Sequence, residues 1–468
     1  MLTCNISENL KEALKIINEN TKGCVFIVDD NECLVGVLTD GDIRRALIND
    51  FGLNSCVKEH MNKDFVYAKK NTPIEAISEM FNDIISIIPI VDDDMKFVDY
   101  IEFRTNQKVS LAEPQLMGNE YKYLNEALLS TWISSSGKFI TRFESSFASF
   151  CGTGYGVATS NGTTALHLAL LALGIGVGDE VIVPNMTFAA TINAVLYTGA
   201  TPVIVDIERD GWCIDPDEIE KHLTSKTKAI IPVHIYGQPC DMGRICNIAK
   251  KYNLYIVEDC AEAHGAMYDG KRVGSFGDIA CFSFFGNKVI TTGEGGMCLT
   301  NSPELDKKMR LFRDHGMSKE RRYYHEVIGY NYRMTNMQAA VGLAQVERIE
   351  EILAWRMELE NTYRAHLSVS KKVILQKNDL DKRTKIAWLV SVLVDAEKRG
   401  NIIDKLTSNG IDVRAFFVPL SQMDLYKEYV AGSCINSEDI AARGINLPTT
   451  YEVNEEIVDK IKEIIESV

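Results

Sequence analysis

Twelve cysteines are present, yet none forms a Cys-x-x-Cys pair or a Cys/His group at metal-ligand spacing. That argues against structural zinc and a disulfide framework, and the thiols read as free, mostly small core residues in a reducing compartment. No stretch approaches 18 uninterrupted apolar residues, and the opening Met1-Leu-Thr-Cys-Asn-Ile-Ser-Glu-Asn9 has no basic region followed by an apolar run. Neither a membrane span nor a secretory leader is therefore expected, and the expected location is cytoplasmic. Basic charge is also short, with 50 Lys and Arg against 65 Asp and Glu and a net charge of −15. Nucleic acid and anionic membranes need a basic surface, so both are disfavoured as partners. The Gly-Lys-Ser/Thr signature of a nucleoside-triphosphate P-loop is missing as well.

What is present describes a globular protein of 468 residues, 46% hydrophobic and 25% charged, long enough for two or three domains. Residues 8–19 carry Leu10, Ala13, Leu14 and Ile17 at helical spacing, with Ser7 as a plausible N-cap. Strands are expected at Cys24–Val28 and Leu34–Leu38 around an Asp-Asp-Asn turn, and Thr39-Asp-Gly-Asp42 opens another helix. The same order returns with a helix at Pro73–Phe81 and strands at Ile85–Val91 and Phe97–Ile101, so one unit is repeated. The phrase Gly36-Val-Leu-Thr39-Asp-Gly-Asp42-Ile-Arg-Arg45 resembles the strand-to-helix segment of a CBS-domain pair. The resemblance implies an adenine-nucleotide site in which Thr39 and Asp42 hold ribose hydroxyls; a simple helix cap is the alternative. The second copy lacks the pattern, so one such site is expected. A polar linker is placed over residues 104–120, giving domains at 1–108, 109–345 and 346–468.

Beyond the linker, strands and helices alternate, which predicts a mainly parallel sheet with ligands beyond the C-terminal strand ends. Asn161-Gly162-Thr163-Thr164 opens a helix after a strand and can cradle a phosphate, unless it is merely a helix start. Phe188 follows the next strand, where it either lies on a ring or is plain core. Leu254-Tyr-Ile-Val-Glu258-Asp259 delivers two carboxylates to a strand end, followed by Glu262 and His264. An acid there can keep a pyridine nitrogen protonated; a metal set of Asp259, Glu262 and His264 is the alternative, which no matching Asp/His set elsewhere supports. Lys288 follows Cys281–Phe285 and precedes Val289, Ile290 and a Gly-Glu-Gly-Gly turn. A crowded pocket built by those flanks would let it lose its proton and bind an aldehyde; an ordinary loop lysine is the bland alternative. Phosphate cradle, aromatic residue, acid and lysine, in this order on a βα framework, describe a pyridoxal-phosphate (PLP) enzyme of the aspartate-aminotransferase fold type I. Its large domain would hold a mainly parallel seven-stranded sheet, followed by a small C-terminal α/β domain.

From about residue 115 onward the chain resembles the DegT-type sugar-nucleotide aminotransferases, closest in wording to their GDP-perosamine-forming members. The phrases are Ser160-Asn-Gly-Thr-Thr-Ala-Leu-His, Val183-Pro-Asn-Met-Thr-Phe-Ala-Ala-Thr, His234-Ile-Tyr-Gly-Gln-Pro, Glu258-Asp-Cys-Ala-Glu-Ala-His-Gly, Ser283-Phe-Phe-Gly-Asn-Lys288 and Gly329-Tyr-Asn-Tyr-Arg-Met-Thr-Asn. The resemblance implies that Lys288 is the Schiff-base lysine and acid/base, and that Asp259 pairs with the pyridine nitrogen. It implies that Ser283, Gly162 and Thr163 hold the cofactor phosphate, that Phe188 stacks on the ring and that Glu262 lies near the cofactor hydroxyl. Asn331 would reach the phosphate of a partner subunit, which makes a homodimer or larger assembly the expectation. Glutamate is the implied amino donor and a nucleotide-linked 4-keto-6-deoxyhexose the acceptor. Glu262 and Val289 depart from the family's common glutamine and threonine. Two rivals remain: a PLP-dependent sugar-nucleotide dehydratase, which would typically replace the lysine by histidine, and a non-catalytic nucleotide sensor built on the CBS pair. Phe416, Phe417 and Trp388 receive no role.

Overall fold

The computed structural model describes residues 2–20, 22–73, 76–77, 80–82, 85, 87–102 and 109–468. The chain divides into two compact units, Met1–Gln107 and Lys108–Val468.

In the first unit the repeat read from the sequence is a repeat of pairing. Thr3–Asn5, Cys24–Val28 and Leu34–Thr39 form one three-stranded sheet, and Ala68–Lys69, Ile87–Val91 and Phe97–Glu102 form another. In each, the first strand runs parallel to the second and the second antiparallel to the third. Helix Leu10–Asn20 buries Leu10, Ala13 and Ile17 against Val25, Ile27 and Leu38. Its cap is Asn9, whose Oδ1 accepts from the Glu12 amide at 3.0 Å, and not Ser7. The helix expected at Pro73–Phe81 lies partly outside the described residues.

The second unit is built on a seven-stranded sheet. Its strands are β1 (Tyr155–Thr159), β2 (Glu180–Pro184), β3 (Thr201–Val205), β4 (Thr227–Ile230), β5 (Tyr255–Asp259), β6 (Ile279–Ser283) and β7 (Gly296–Thr300). The order is β1-β7-β6-β5-β4-β2-β3, and β7 alone runs antiparallel to its neighbours. Both faces are covered, which is why the strands read as nearly continuous apolar runs. Successive side chains of a strand point to opposite faces. Ile182, Ile256, Ala280 and Phe282 accordingly join one core, and Val181, Val183, Val257, Ile279 and Cys281 join the other.

The smaller C-terminal layer is an antiparallel sheet of Ile374–Leu375, Val390–Leu393, Gly444–Leu447 and Arg414–Ala415 in that spatial order. Helices Ile349–Leu367 and Glu455–Glu466 bury Leu359, Tyr363, Val458 and Ile461 in its core. The linker expected over 104–120 has already ended at Val109, whose amide donates to Gly410 O at 2.8 Å and whose carbonyl accepts from Asp412 at 2.8 Å. Apolar spacing predicts one long helix over Leu343–Leu367, whereas the structure has two, Asn336–Glu347 and Ile349–Leu367, because Arg348 leaves helical geometry at φ −112°, ψ 7°. No Gly or Pro marks the break, but Thr335 and Gln338 form a capping box that starts the first helix earlier than the apolar spacing suggests.

Phe147 is fully buried and packs edge-on to Phe282 and Phe284, at 4.8 and 5.0 Å between ring centroids. Phe147→Ala is expected to destabilise the second unit by about 3–5 kcal/mol. Urea unfolding checks this: a lower midpoint at unchanged slope is the expected result, and a loss under about 1 kcal/mol would show that the core closes over the gap.

Candidate active site

A cavity of about 440 Å³ opens beyond the C-terminal ends of β5 and β6. Asn161, Gly162 and Thr163 line one side, Asp259, Glu262 and Ser283 the floor, and Lys288, Trp388, Phe188 and Phe417 the remaining walls. Seven of the eight residues predicted for the cofactor are therefore brought together.

The phosphate side is built from backbone. Asn161 caps helix Gly162–Ala172, its Oδ1 accepting from the Thr164 amide at 2.9 Å, and the Ala165 amide goes to Asn161 O. The Gly162 and Thr163 amides are thus left without an intrahelical partner at the positive end of the helix. A Cβ on Gly162 would stand 2.9 Å from the Ser283 Cβ, so glycine is what lets the helix start lie against the serine. The Gly-Glu-Gly-Gly turn serves the same loop. A Cβ on Gly296 would come within 2.3 Å of the Asn161 carbonyl, so glycine lets the backbone pass close to the Asn161–Thr163 loop.

Asp259 ends β5 and is 6% exposed. Its Oδ2 accepts from Thr191 Oγ1 at 2.8 Å and its Oδ1 from the Ala261 amide at 3.2 Å. Burial pushes its pKa above the ordinary carboxylate value, against the pull of those bonds and of Lys288. Glu262 is held by the Tyr236 amide, which donates to its Oε2 at 2.9 Å. Its Oε1 faces Lys288 Nζ at 3.7 Å. Burial raises Glu262 to about 7 despite the attraction of Lys288.

The Lys288 side chain is 12% exposed, and its ammonium lies 3.8 Å from the centroid of the Trp388 ring. Desolvation lowers its pKa, opposed by Glu262 and Asp259, which is the direction a nucleophilic amine requires. The flanking sequence encloses it in part. Ser283 and Phe285 line the cavity, whereas Val289 and Ile290 turn into the core, and further walls come from Glu262, Trp388 and Phe417, more distant in sequence. Trp388 also donates its indole N–H to Asn287 O at 2.8 Å, fixing the turn before the lysine. Aromatic residues in a strand are usually core, which is why neither Trp388 nor Phe417 carried a sequence signal.

Phe188 lines the cavity mouth and is 61% exposed. Asn331 is exposed, lies outside the cavity lining, and accepts from Arg333 Nε at 3.0 Å. His264, grouped with Asp259 and Glu262 in the metal alternative, sits instead among Phe147, Phe282 and Phe284. Burial pushes its pKa down to about 3. Buried His234, Glu258 and Cys260 also cluster, but both His234 ring nitrogens are engaged, Nδ1 by the Cys240 amide at 3.0 Å and Nε2 by Glu258 at 3.2 Å. In the first unit Thr39 and Asp42 form a complete capping box, and Arg45 pairs with Asp42 at 2.7 Å. Among the described residues, no helix is long and apolar enough to cross a membrane.

Comparison with known proteins covers both units. The DegT/DnrJ/EryC1/StrS aminotransferase family matches residues 114–466, and the CBS domain matches residues 1–49 and 57–104. GDP-perosamine synthase of Escherichia coli O157:H7 is 46% identical over 358 residues, covering 76% of this chain and 97% of that protein. GDP-perosamine synthase of Caulobacter vibrioides is 45% identical over 357 residues, covering 76% and 96%. A Streptococcus pneumoniae protein assigned as a sugar aminotransferase and solved in its PLP form superposes with a TM-score of 0.72 at 28% identity, over 77% of this chain and 99% of that one.

The raised Glu262 has a sign that can be checked in cofactor-free protein. Its folded pKa of about 7 lies above the unfolded value of 4.5, so the folded state binds the extra proton, and stability from this group is present below pH 4.5 and lost as pH rises through 7. Glu262→Gln removes that dependence. The difference in unfolding free energy should move in the variant's favour between pH 5 and pH 8, by an amount on the order of 2–3 kcal/mol, read from urea unfolding at each pH. A pH-independent difference would show that Glu262 is ionised throughout.

Proposed function

The chain belongs to the DegT/DnrJ/EryC1/StrS aminotransferase family and carries an N-terminal CBS pair, and on that premise we propose that it moves an amino group from glutamate to a GDP-linked 4-keto-6-deoxyhexose. The observation that carries this reading is the convergence, in one cavity, of a desolvated lysine, a buried acid with spare acceptor capacity and a helix N-terminus. The sugar and nucleotide follow from the two perosamine synthases, which this chain covers almost end to end.

The residues fit PLP, the cofactor of this family. The glycine-lined helix start beside Ser283 suits a phosphate, and Asp259 suits a protonated ring nitrogen. When bound, the cofactor supplies an aldehyde and a conjugated ring that takes up the electrons released at the reacting carbon. Lys288 would hold it as the Schiff-base lysine and move the proton to and from the reacting carbon. Glu262 would lie near the cofactor hydroxyl, and Phe188 would stack on the ring. Gly162, Thr163 and Ser283 would hold the phosphate. Asn331, exposed and outside its own cavity lining, serves a second copy, so the working form is at least a homodimer. The CBS pair takes one adenine nucleotide at Thr39 and Asp42, and the free thiols fit the cytoplasm.

Purified protein given PLP, glutamate and a GDP-linked 4-keto-6-deoxyhexose should yield the GDP-linked aminosugar, read by mass and by the 2-oxoglutarate released. Lys288→Ala should lower turnover at least ~10²-fold. Preference for a UDP-linked keto-sugar would overturn the nucleotide assignment, and inertness with every keto-sugar would overturn the reaction.

For the first unit, titration calorimetry with AMP should show affinity falling ~10-fold or more in the Thr39→Ala, Asp42→Ala double variant. The lost cap should also lower stability by about 1 kcal/mol. Reduced stability with unchanged AMP affinity would leave the pair as a cap alone.

A further inference from the structure

We propose that Tyr236 is a positioning residue that fixes Glu262 in front of Lys288 by tying it, through a strained backbone, to the aromatic wall of the small domain. The inference rests on Lys288 being the cofactor lysine.

Tyr236 sits at φ 50°, ψ 32°, in the left-handed region that side-chain-bearing residues seldom occupy. Such strain persists only where the surroundings over-determine it, and it clusters at functional sites. Here the conformation has an identifiable product. It turns the Tyr236 amide onto Glu262 Oε2 at 2.9 Å, leaving Oε1 as the oxygen that faces Lys288.

The forces that hold the strain come from the other side of the cavity. The Tyr236 ring is fully buried, lies at 21° to the Trp388 ring and 27° to the Phe417 ring, and approaches Phe416 to 4.6 Å. Its hydroxyl accepts from the Phe417 amide at 3.1 Å. The next residue, Gly237, accepts from the Ile386 amide at 3.1 Å, and there a Cβ would strike the Ile386 carbonyl at 2.0 Å. On the near side His234 is pinned between Glu258 and the Cys240 amide.

These contacts close a circuit. Trp388 touches the Lys288 ammonium directly and touches Glu262 indirectly, through Tyr236. The wall that faces the substrate and the acid that faces the lysine thus share one anchor. A core tyrosine without this role would need neither the left-handed backbone nor an amide aimed at Glu262. The charged groups acting on Glu262 are Lys288 and Asp259, so displacing its carboxylate alters the field at the lysine.

The test is a pH titration of the visible absorbance band of PLP-loaded protein, which needs no sugar substrate. Tyr236→Gly keeps the left-handed backbone accessible but removes the ring that holds it. Its midpoint should shift by about one pH unit, as should that of Glu262→Gln, and the double variant should shift no further than either single one. Tyr236→Asn, which also tolerates the left-handed region, carries the same expectation should the glycine variant fail to fold. An unchanged midpoint accompanied only by a lower thermal unfolding temperature, or additive shifts in the double variant, would overturn the proposal and leave Tyr236 as core. A wild type without a visible band would overturn the assignment of Lys288 itself.

Discussion

An ammonium group has no stable place in an apolar cavity unless something in that cavity compensates its charge, and Lys288 is compensated by Glu262, Asp259 and the face of Trp388. Burial pushes the lysine down and both acids up, so the three groups resist full ionisation together. The site is therefore held in place less by ion pairing than by neutral donors fixed in the fold: the Tyr236 amide on Glu262, the Thr191 hydroxyl on Asp259 and the Ala261 amide beside it. This arrangement keeps the amine available for reaction, since a tight salt bridge would stabilise the charged form that must be lost.

The sheet explains why these groups meet. Parallel strands bring their C-terminal ends to one edge, and adjacent β5 and β6 deliver Asp259 there, opposite Cys281, and Ser283 two residues beyond it. The antiparallel β7 pairs with β1 and so brings Gly296 under the phosphate loop, which a side chain at that position would obstruct. The small domain closes the remaining side with Trp388 and Phe417.

Much of this was legible in the sequence, for reasons that differ by residue. The βα alternation gives the sheet because both of its faces are buried, so its strands stand out as short, nearly continuous apolar runs between helices. Gly162, Asp259 and Lys288, which line one cavity, could be singled out because local sequence marks them with a helix start, a strand end and a turn, whereas Ser283 was named only through the family resemblance. Trp388, Phe417 and Tyr236 were not assigned, since their importance lies in contacts between segments far apart in sequence: Trp388 with Lys288, and Tyr236 with Trp388 and Phe417. The cap at Asn9 and the break at Arg348 were missed because apolar spacing locates a helix better than it locates its ends. Thr39 and Asp42 show the limit of a motif, for a capping box and a ribose site call for the same two side chains.

The pair Glu258 and Asp259 separates structural from functional acid by a criterion that sequence cannot supply. Both are carboxylates at the end of β5 and both are buried. Glu258 accepts four bonds, from His234 at 3.2 Å and from the amides of Gly274, Phe276 and Gly277 at 2.8 Å each. An ionised carboxylate offers about four acceptor positions, so Glu258 is saturated. Burial raises its pKa, but these bonds outweigh that and hold it below the ordinary value. Asp259 accepts only two, and burial keeps it above. An acid with filled lone pairs can brace a loop but has nothing left for a ligand. One residue further along, alternation turns the carboxylate into the cavity with half its capacity unspent, which is the condition for meeting a donor that the chain does not itself provide.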